Sequence, residues 1–128
     1  MEKLLLRESR GNGVVVLAVS GEVDVSTGPQ LDERLVALAD GGLCRVVLDA
    51  VGLVFCDGSG ITILIRAGNR VVEQQGWLRL ARARPSLRRI LGIVDLSRVL
   101  PVFDTVADAI DGTKPWSDRR VRASVAGR

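Results

Sequence analysis

Histidine is absent from this 128-residue chain. That absence excludes the usual Ser-His-Asp and Cys-His catalytic arrangements, whose proton transfers run through an imidazole. Metal sites lose their commonest nitrogen ligand as well. The two cysteines, Cys44 and Cys56, stand too far apart to make a zinc knuckle and too few to make a disulfide framework. Aromatics amount to 3 % of the chain, so aliphatic Leu, Val and Ile must fill the interior. No apolar run reaches the roughly 18 residues of a membrane helix. The first residues show no basic segment followed by an apolar stretch, so no secretory signal is expected and the cytoplasm is the expected compartment.

What is present describes one small globular domain. The composition, 47 % hydrophobic and 26 % charged, is that of an ordinary soluble chain able to bury a real core. The net charge of +3 is unevenly placed. Residues 112–128 hold Lys114, Arg119, Arg120, Arg122 and Arg128 against Asp118, a net of +4. The remainder carries 13 basic and 14 acidic residues and is nearly neutral. A basic end of this kind is expected to be a solvated, flexible tail rather than a nucleic-acid contact.

Hydrophobic periodicity divides the rest of the chain. Leu4 to Leu6 and Val14 to Val19 predict two strands joined by a turn at Gly11-Asn12-Gly13. Thr27-Gly28-Pro29-Gln30 predicts a helix start, with Thr27 as cap, Gln30 reaching back to it and Pro29 in the first turn. Leu31, Leu35, Leu38 and Ala39 continue it at helical spacing until Gly41-Gly42. Arg45 to Leu48 predicts a strand ending at Asp49, with a second apolar patch at Leu53 to Phe55. From Gly58 to about Gln75 the period is helical, and Gly76 ends it. Trp77 to Leu80 predicts a strand, and Pro85 to Leu91 a short helix closed by Gly92. Val99 to Phe103 predicts a last strand, and Asp104 is expected to cap a final helix, Thr105 to Ile110. The order β-β-α-β-α-β-α-β-α implies an α/β domain over residues 1–111. It would hold a mostly parallel mixed sheet, about four helices and right-handed crossovers. Strand order is not derivable at this level.

The glycine-rich centre, Phe55-Cys56-Asp57-Gly58-Ser59-Gly60, fails each catalytic pattern on a named residue. A dinucleotide fingerprint begun at Gly58 needs glycine where Ile63 stands, and a phosphate loop needs a lysine that is not there. A nucleophile elbow on Ser59 needs glycine at Asp57 and a histidine elsewhere. What remains is a strand leading into a helix N-terminus, where unpaired amides and small residues let another backbone approach. In its plain structural role Asp57 is an N-cap and the glycines permit a tight turn. Cys56 reads either as a thiol activated by the helix start or as a small buried filler, and the filler is the better reading. Trp77 is expected in the core, and Trp116 in the tail is exposed unless it docks. Arg82, Arg84, Arg88 and Arg89 read either as a partner-facing patch or as a solvated helix face, and the solvated face is the better reading.

The spaced segments Gly21-Glu22-Val23-Asp24, Thr27-Gly28-Pro29, Val46-Val47-Leu48-Asp49 and Asp57-Gly58-Ser59-Gly60-Ile61 together resemble the STAS domain of bacterial anti-sigma factor antagonists. That family's pattern runs G-x-[LV]-D, T-A-P, V-[LV]-[LV]-D-L and D-S-[ST]-G-[LI], and the likeness covers residues ~4 to ~111 in order. The resemblance implies a binding protein without catalytic residues, cofactor or metal. Its partner would be an anti-sigma factor, usually a serine kinase of histidine-kinase-like fold. It also implies no direct nucleic-acid or membrane contact and a monomer or weak homodimer. The partner-binding residues that carry over are Asp24, Asp57, Gly58, Ser59, Gly60 and Thr62. The family's phosphorylated serine falls at Gly58, which has no hydroxyl. Ser59 is then the candidate phospho-acceptor, with Thr62 the next hydroxyl one turn on. The missing serine also suits a second reading, a STAS-like scaffold or small-ligand sensor. Gly28 in place of alanine is expected to affect only local helix stability.

Overall fold

The structure, a computed structural model, describes residues 3–94 and 99–116. Its elements are β1 (Leu4–Gly11), β2 (Val14–Val23), α1 (Gly28–Asp40), β3 (Arg45–Cys56), α2 (Gly58–Glu73), β4 (Trp77–Ala81), α3 (Pro85–Val94), β5 (Val102–Phe103) and α4 (Val106–Asp111). This is the expected alternation. Strand order in space equals strand order in the chain, with β1 antiparallel to β2 and every later pair parallel. The β1–β2 turn uses Asn12 and Gly13, both at positive φ (52° and 77°), as a two-residue hairpin loop requires.

Side chains alternate across the sheet and sort into two cores. Val15, Leu17, Val46, Leu48, Leu78 and Leu80 face α1, α2 and α3 and form the main core with Leu35, Leu64 and Leu87. Val14, Val47, Ala81 and Phe103 face the other way, where Ala109 of α4 covers them. Each fully buried leucine contributes about 1.5–3 kcal/mol relative to exposure.

Several boundaries differ from the sequence reading. β3 does not end at Asp49 but runs on to Cys56 as a 12-residue strand. Asp49 is tolerated inside it because Arg82 holds its carboxylate from the neighbouring strand end, at 3.0 and 2.7 Å. β2 likewise extends past Val19 to Val23, through irregular register at Ala18–Ser20 and Gly21–Glu22. α2 ends at Glu73, capped by Gln74, before Gly76 is reached. α3 passes through Gly92 to Val94, and β5 is only Val102–Phe103. Thr105, not Asp104, caps α4, its hydroxyl accepting from the Asp108 N–H at 3.0 Å. Asp104 pairs instead with Arg88 at 2.8 Å.

Of the two tryptophans, Trp77 departs from expectation and Trp116 takes the docked alternative. Trp77 is only partly buried at the edge of the second core, with the Arg79 guanidinium stacked 3.7 Å from its ring centre. Trp116 docks rather than hanging free. Its N–H donates to the Val102 carbonyl at 2.6 Å, and its ring packs against the main core near Arg88. The basic run from Asp118 to Arg128 lies outside the described residues.

Candidate functional site

β2 and β3 lie side by side in parallel, with Val23 opposite Cys56, so both strands deliver their following loops to the same end of the sheet. This is the carboxyl end, where open α/β sheets place their ligands. α1 and α2 both start there. A hydrogen bond from the Asp57 N–H to the Val23 carbonyl, 3.2 Å, ties the two loops together.

Asp57 has extended backbone and caps α2 as the sequence predicts. Its Oδ1 accepts from the Ser59 N–H (3.0 Å), the Gly60 N–H (3.1 Å) and the Ser59 hydroxyl (2.6 Å). The Ser59 hydroxyl first, then the Gly60 amide, hold this carboxyl below the usual carboxylate range. The Asp24 charge pushes the other way, so the two acids feel one another across the loops. Asp24 organises its own turn. Its Oδ1 accepts from the Ser26 hydroxyl (2.7 Å), the Ser26 N–H (2.9 Å) and the Thr27 N–H (3.0 Å). Those bonds, the Ser26 hydroxyl foremost, lower its pKa to about 2.

The capping box expected at Thr27 does not form. The Thr27 hydroxyl donates back to the Glu22 carbonyl at 2.7 Å, and the Gln30 amide reaches the Leu4 carbonyl at 3.4 Å. Asp24 has already taken the loop amides. The expectation for Gly28 also changes. A Cβ there would lie 2.5 Å from Cδ1 of Ile63, so the glycine lets the start of α1 sit close against α2.

Four of the six predicted binding residues differ in exposure. Gly58 is exposed, and a Cβ added to it meets nothing within 4 Å. Thr62 is exposed one turn on, its hydroxyl donating to the Gly58 carbonyl at 3.0 Å. The Ser59 hydroxyl is partly buried and committed to Asp57. Gly60 is a correction to the sequence reading. It is buried, and a Cβ there would lie 2.6 Å from the Cys56 sulfur and 2.8 Å from Val23. Its smallness serves the seating of α2 on β2 and β3. Cys56 is a filler, since burial first and the Asp57 charge second push its thiol up to about 11.

The sequence reading missed the apolar side chains around this junction. Val25 follows Asp24 and is 79 % exposed, while Phe55 and Val54 precede Cys56 at 49 % and 56 %. A signal for them existed: Leu53, Val54 and Phe55 are consecutive, and a strand cannot turn all three to one face. The surface thus combines an exposed glycine-led helix start, two carboxylates each held through Oδ1 by its own turn, and a rim of hydrocarbon.

Comparison with known proteins agrees with this geometry. A family model described as the STAS domain matches residues 7–109. The chain is 26 % identical over 103 residues to the anti-sigma-F factor antagonist RsfB of Mycobacterium tuberculosis, covering 80 % of this chain and 84 % of that one. It is 31 % identical to the anti-sigma-B factor antagonist of Bacillus subtilis, over 66 % of this chain and 76 % of the relative. The crystal structure of an anti-sigma factor antagonist from Mycobacterium paratuberculosis superposes with a TM-score of 0.76 at 26 % identity, covering 85 % and 92 % of the two chains.

Proposed function

The chain belongs to the STAS domain family, and on that premise we propose that it is an anti-sigma factor antagonist, a binding protein that captures an anti-sigma factor and so frees a sigma factor for transcription. The observation that carries this reading is the α2 start. Asp57 pre-orders the first turn, and Gly58 stands exposed with open space where its side chain would be. Asp24 braces the adjacent loop from the next strand. A partner meets a rigid, small-residue platform and loses little loop entropy on binding. The partner is a serine kinase of histidine-kinase-like fold, met in the cytoplasm by a monomeric or weakly dimeric antagonist without nucleic acid.

Gly58 separates this chain from a switchable antagonist. Phosphorylation adds about −1.5 to −2 charge, which at a helix start would rewrite the surface. The acceptor position has no hydroxyl, and the Ser59 hydroxyl is engaged by Asp57. The chain therefore acts as a constitutive binder, insensitive to the kinase it captures. The same glycine favours the second reading, a scaffold or sensor that needs no switch.

Immobilised wild type and Gly58→Trp protein, exposed to extract, distinguish the two. The antagonist reading expects wild type to retain an ATP-binding anti-sigma factor and to restore sigma-dependent transcription from its purified complex. Gly58→Trp, still folded because position 58 is open, should lose at least tenfold in affinity. Retention of an assembly containing no anti-sigma factor, unaffected by Gly58→Trp, would establish the scaffold instead.

A further inference from the structure

Beside the junction, a groove of about 200 Å³ opens between the end of β3 and α3. Leu53, Val54, Phe55 and Cys56 form one wall, and Ser86, Leu87 and Ile90 the other. Val54, Phe55 and Ile90 are 56 %, 49 % and 41 % exposed, so three large apolar side chains meet water at one place. A contiguous patch of this kind marks an interaction site more often than isolated surface hydrocarbon does. Among the described lining residues Ser86 carries the only hydroxyl. A small-ligand pocket would need several convergent polar groups to orient its occupant. Hydrocarbon walls with one open side suit the apolar face of a peptide segment.

Charge around the groove narrows the segment further. α3 turns about 100° per residue, so Arg89 lies about 60° to the solvent side of Ser86. Arg84, just before α3, donates to the Val51 carbonyl at 3.2 Å and is exposed at the other end. Arg88 points away and pairs with Asp104. The solvent rim on the α3 side is therefore cationic. The β3 side leads directly through Cys56 into Asp57, which makes the groove continuous with the junction.

We propose that this groove takes up an acidic, amphipathic segment of the captured anti-sigma factor, whose apolar side chains enter between Phe55 and Ile90 while its carboxylates meet Arg84 and Arg89. The proposal rests on the antagonist reading for the identity of the partner, but its chemistry is testable on this protein alone. Phe55 is the anchor, since a buried aromatic at an interface centre usually carries more binding energy than its neighbours.

The experiment titrates ¹⁵N-labelled full-length protein with a synthetic amphipathic helical peptide of Leu and Glu, and with its Leu and Lys counterpart. The Glu peptide should shift the amides of Leu53 to Cys56 and Ser86 to Ile90, and bind at least tenfold tighter than the Lys peptide. Ile90→Glu and Arg89→Glu should each weaken the Glu peptide at least fivefold while keeping the dispersed amide spectrum of wild type. Equal response to both peptides, shifts confined to other surfaces, or unchanged affinity in both variants would overturn the groove assignment. If that happens while Gly58→Trp still abolishes capture of the anti-sigma factor, the antagonist reading stands and only the groove fails. Peptide selectivity without any captured anti-sigma factor would remove the partner's identity and hence the proposal.

Discussion

Arg82, the first residue after β4, grips the buried carboxylate of Asp49 with two hydrogen bonds of 3.0 and 2.7 Å, and does so from a left-handed backbone at φ 57°. Non-glycine residues adopt that conformation at a cost. The bidentate pair offsets it, and the Arg82 N–H adds a bond to the Phe103 carbonyl at 3.0 Å. Removing the guanidinium leaves Asp49, 7 % exposed, with a buried charge and, among the described residues, only the Val51 amide at 3.4 Å beside it. Arg82→Ala is expected to lower Tm by roughly 5 °C or more. Arg82→Lys, which cannot make the paired fork, should recover only part of that in a thermal melt.

Asp49 also shows why part of the fold was not legible. A carboxylate followed by Gly52 reads locally as the end of a strand, and the residue that makes it tolerable lies 33 positions away. Strand order escaped for the same reason, since it depends on pairings that no local window contains. The Thr27 capping box was misread because Asp24, three residues earlier, takes the Thr27 N–H, while the Gln30 N–H turns to the Thr27 carbonyl. What periodicity and turn chemistry govern was readable: four helices, the hairpin turn and the Asp57 cap. The exposure of Val54 and Phe55 was legible in their run with Leu53, since a strand cannot turn all three to one face, whereas Val25 and Ile90 carried no comparable local mark.

Position 58 has room for a hydroxymethyl group, whereas position 60 does not have room for a methyl. Gly58→Ser is expected to leave Tm unchanged within about 2 °C. Incubated with the partner kinase and ATP, it should gain one phosphate, read by intact mass, while wild type stays unmodified. Rapid modification of wild type that vanishes in Ser59→Ala would make Ser59 the acceptor. Gly60→Val should cost about 1–3 kcal/mol in urea unfolding, from overpacking against Cys56 and Val23.

Acid should weaken the junction before it weakens the core. Asp24 and Asp57 both have folded pKa values below their ordinary 3.8. A lowered carboxyl contributes stability that is complete above the unfolded value and is lost as pH falls through the folded one. For Asp24 that window runs from about 3.8 down to about 2. Unfolding midpoints between pH 5 and pH 2 should fall for wild type and fall less for Asp24→Asn with Asp57→Asn. A parallel fall in both proteins would remove these two acids as the cause.

Cys56 should resist alkylation. Its thiol is raised to about 11, so at pH 8 the reactive thiolate is a very small fraction. Iodoacetamide at that pH should modify Cys56 in the native protein at least tenfold more slowly than free glutathione. A rate equal to glutathione would mean that the pocket opens faster than the folded position allows.

Trp116 extends the packed structure beyond α4. Truncation after Thr113 removes its hydrogen bond to Val102 and its packing on the main core. A Tm loss of roughly 5 °C is expected from burial of part of an indole. An unchanged melt would show that the docked ring contributes nothing to stability.

Because each strand lies beside the one made just before it, the sheet can be laid down in the order of translation. β1, β2, α1, β3 and α2 leave the ribosome ahead of β4 and β5, so the segments that form the junction are all synthesised while about a third of the described chain is still to come. Every connection joins neighbouring strands, by a hairpin or by one helical crossover, which limits the entropic cost of each step. Adding strands at one growing edge leaves no gap for a later strand to be threaded into, and so removes one route to misassembly during synthesis.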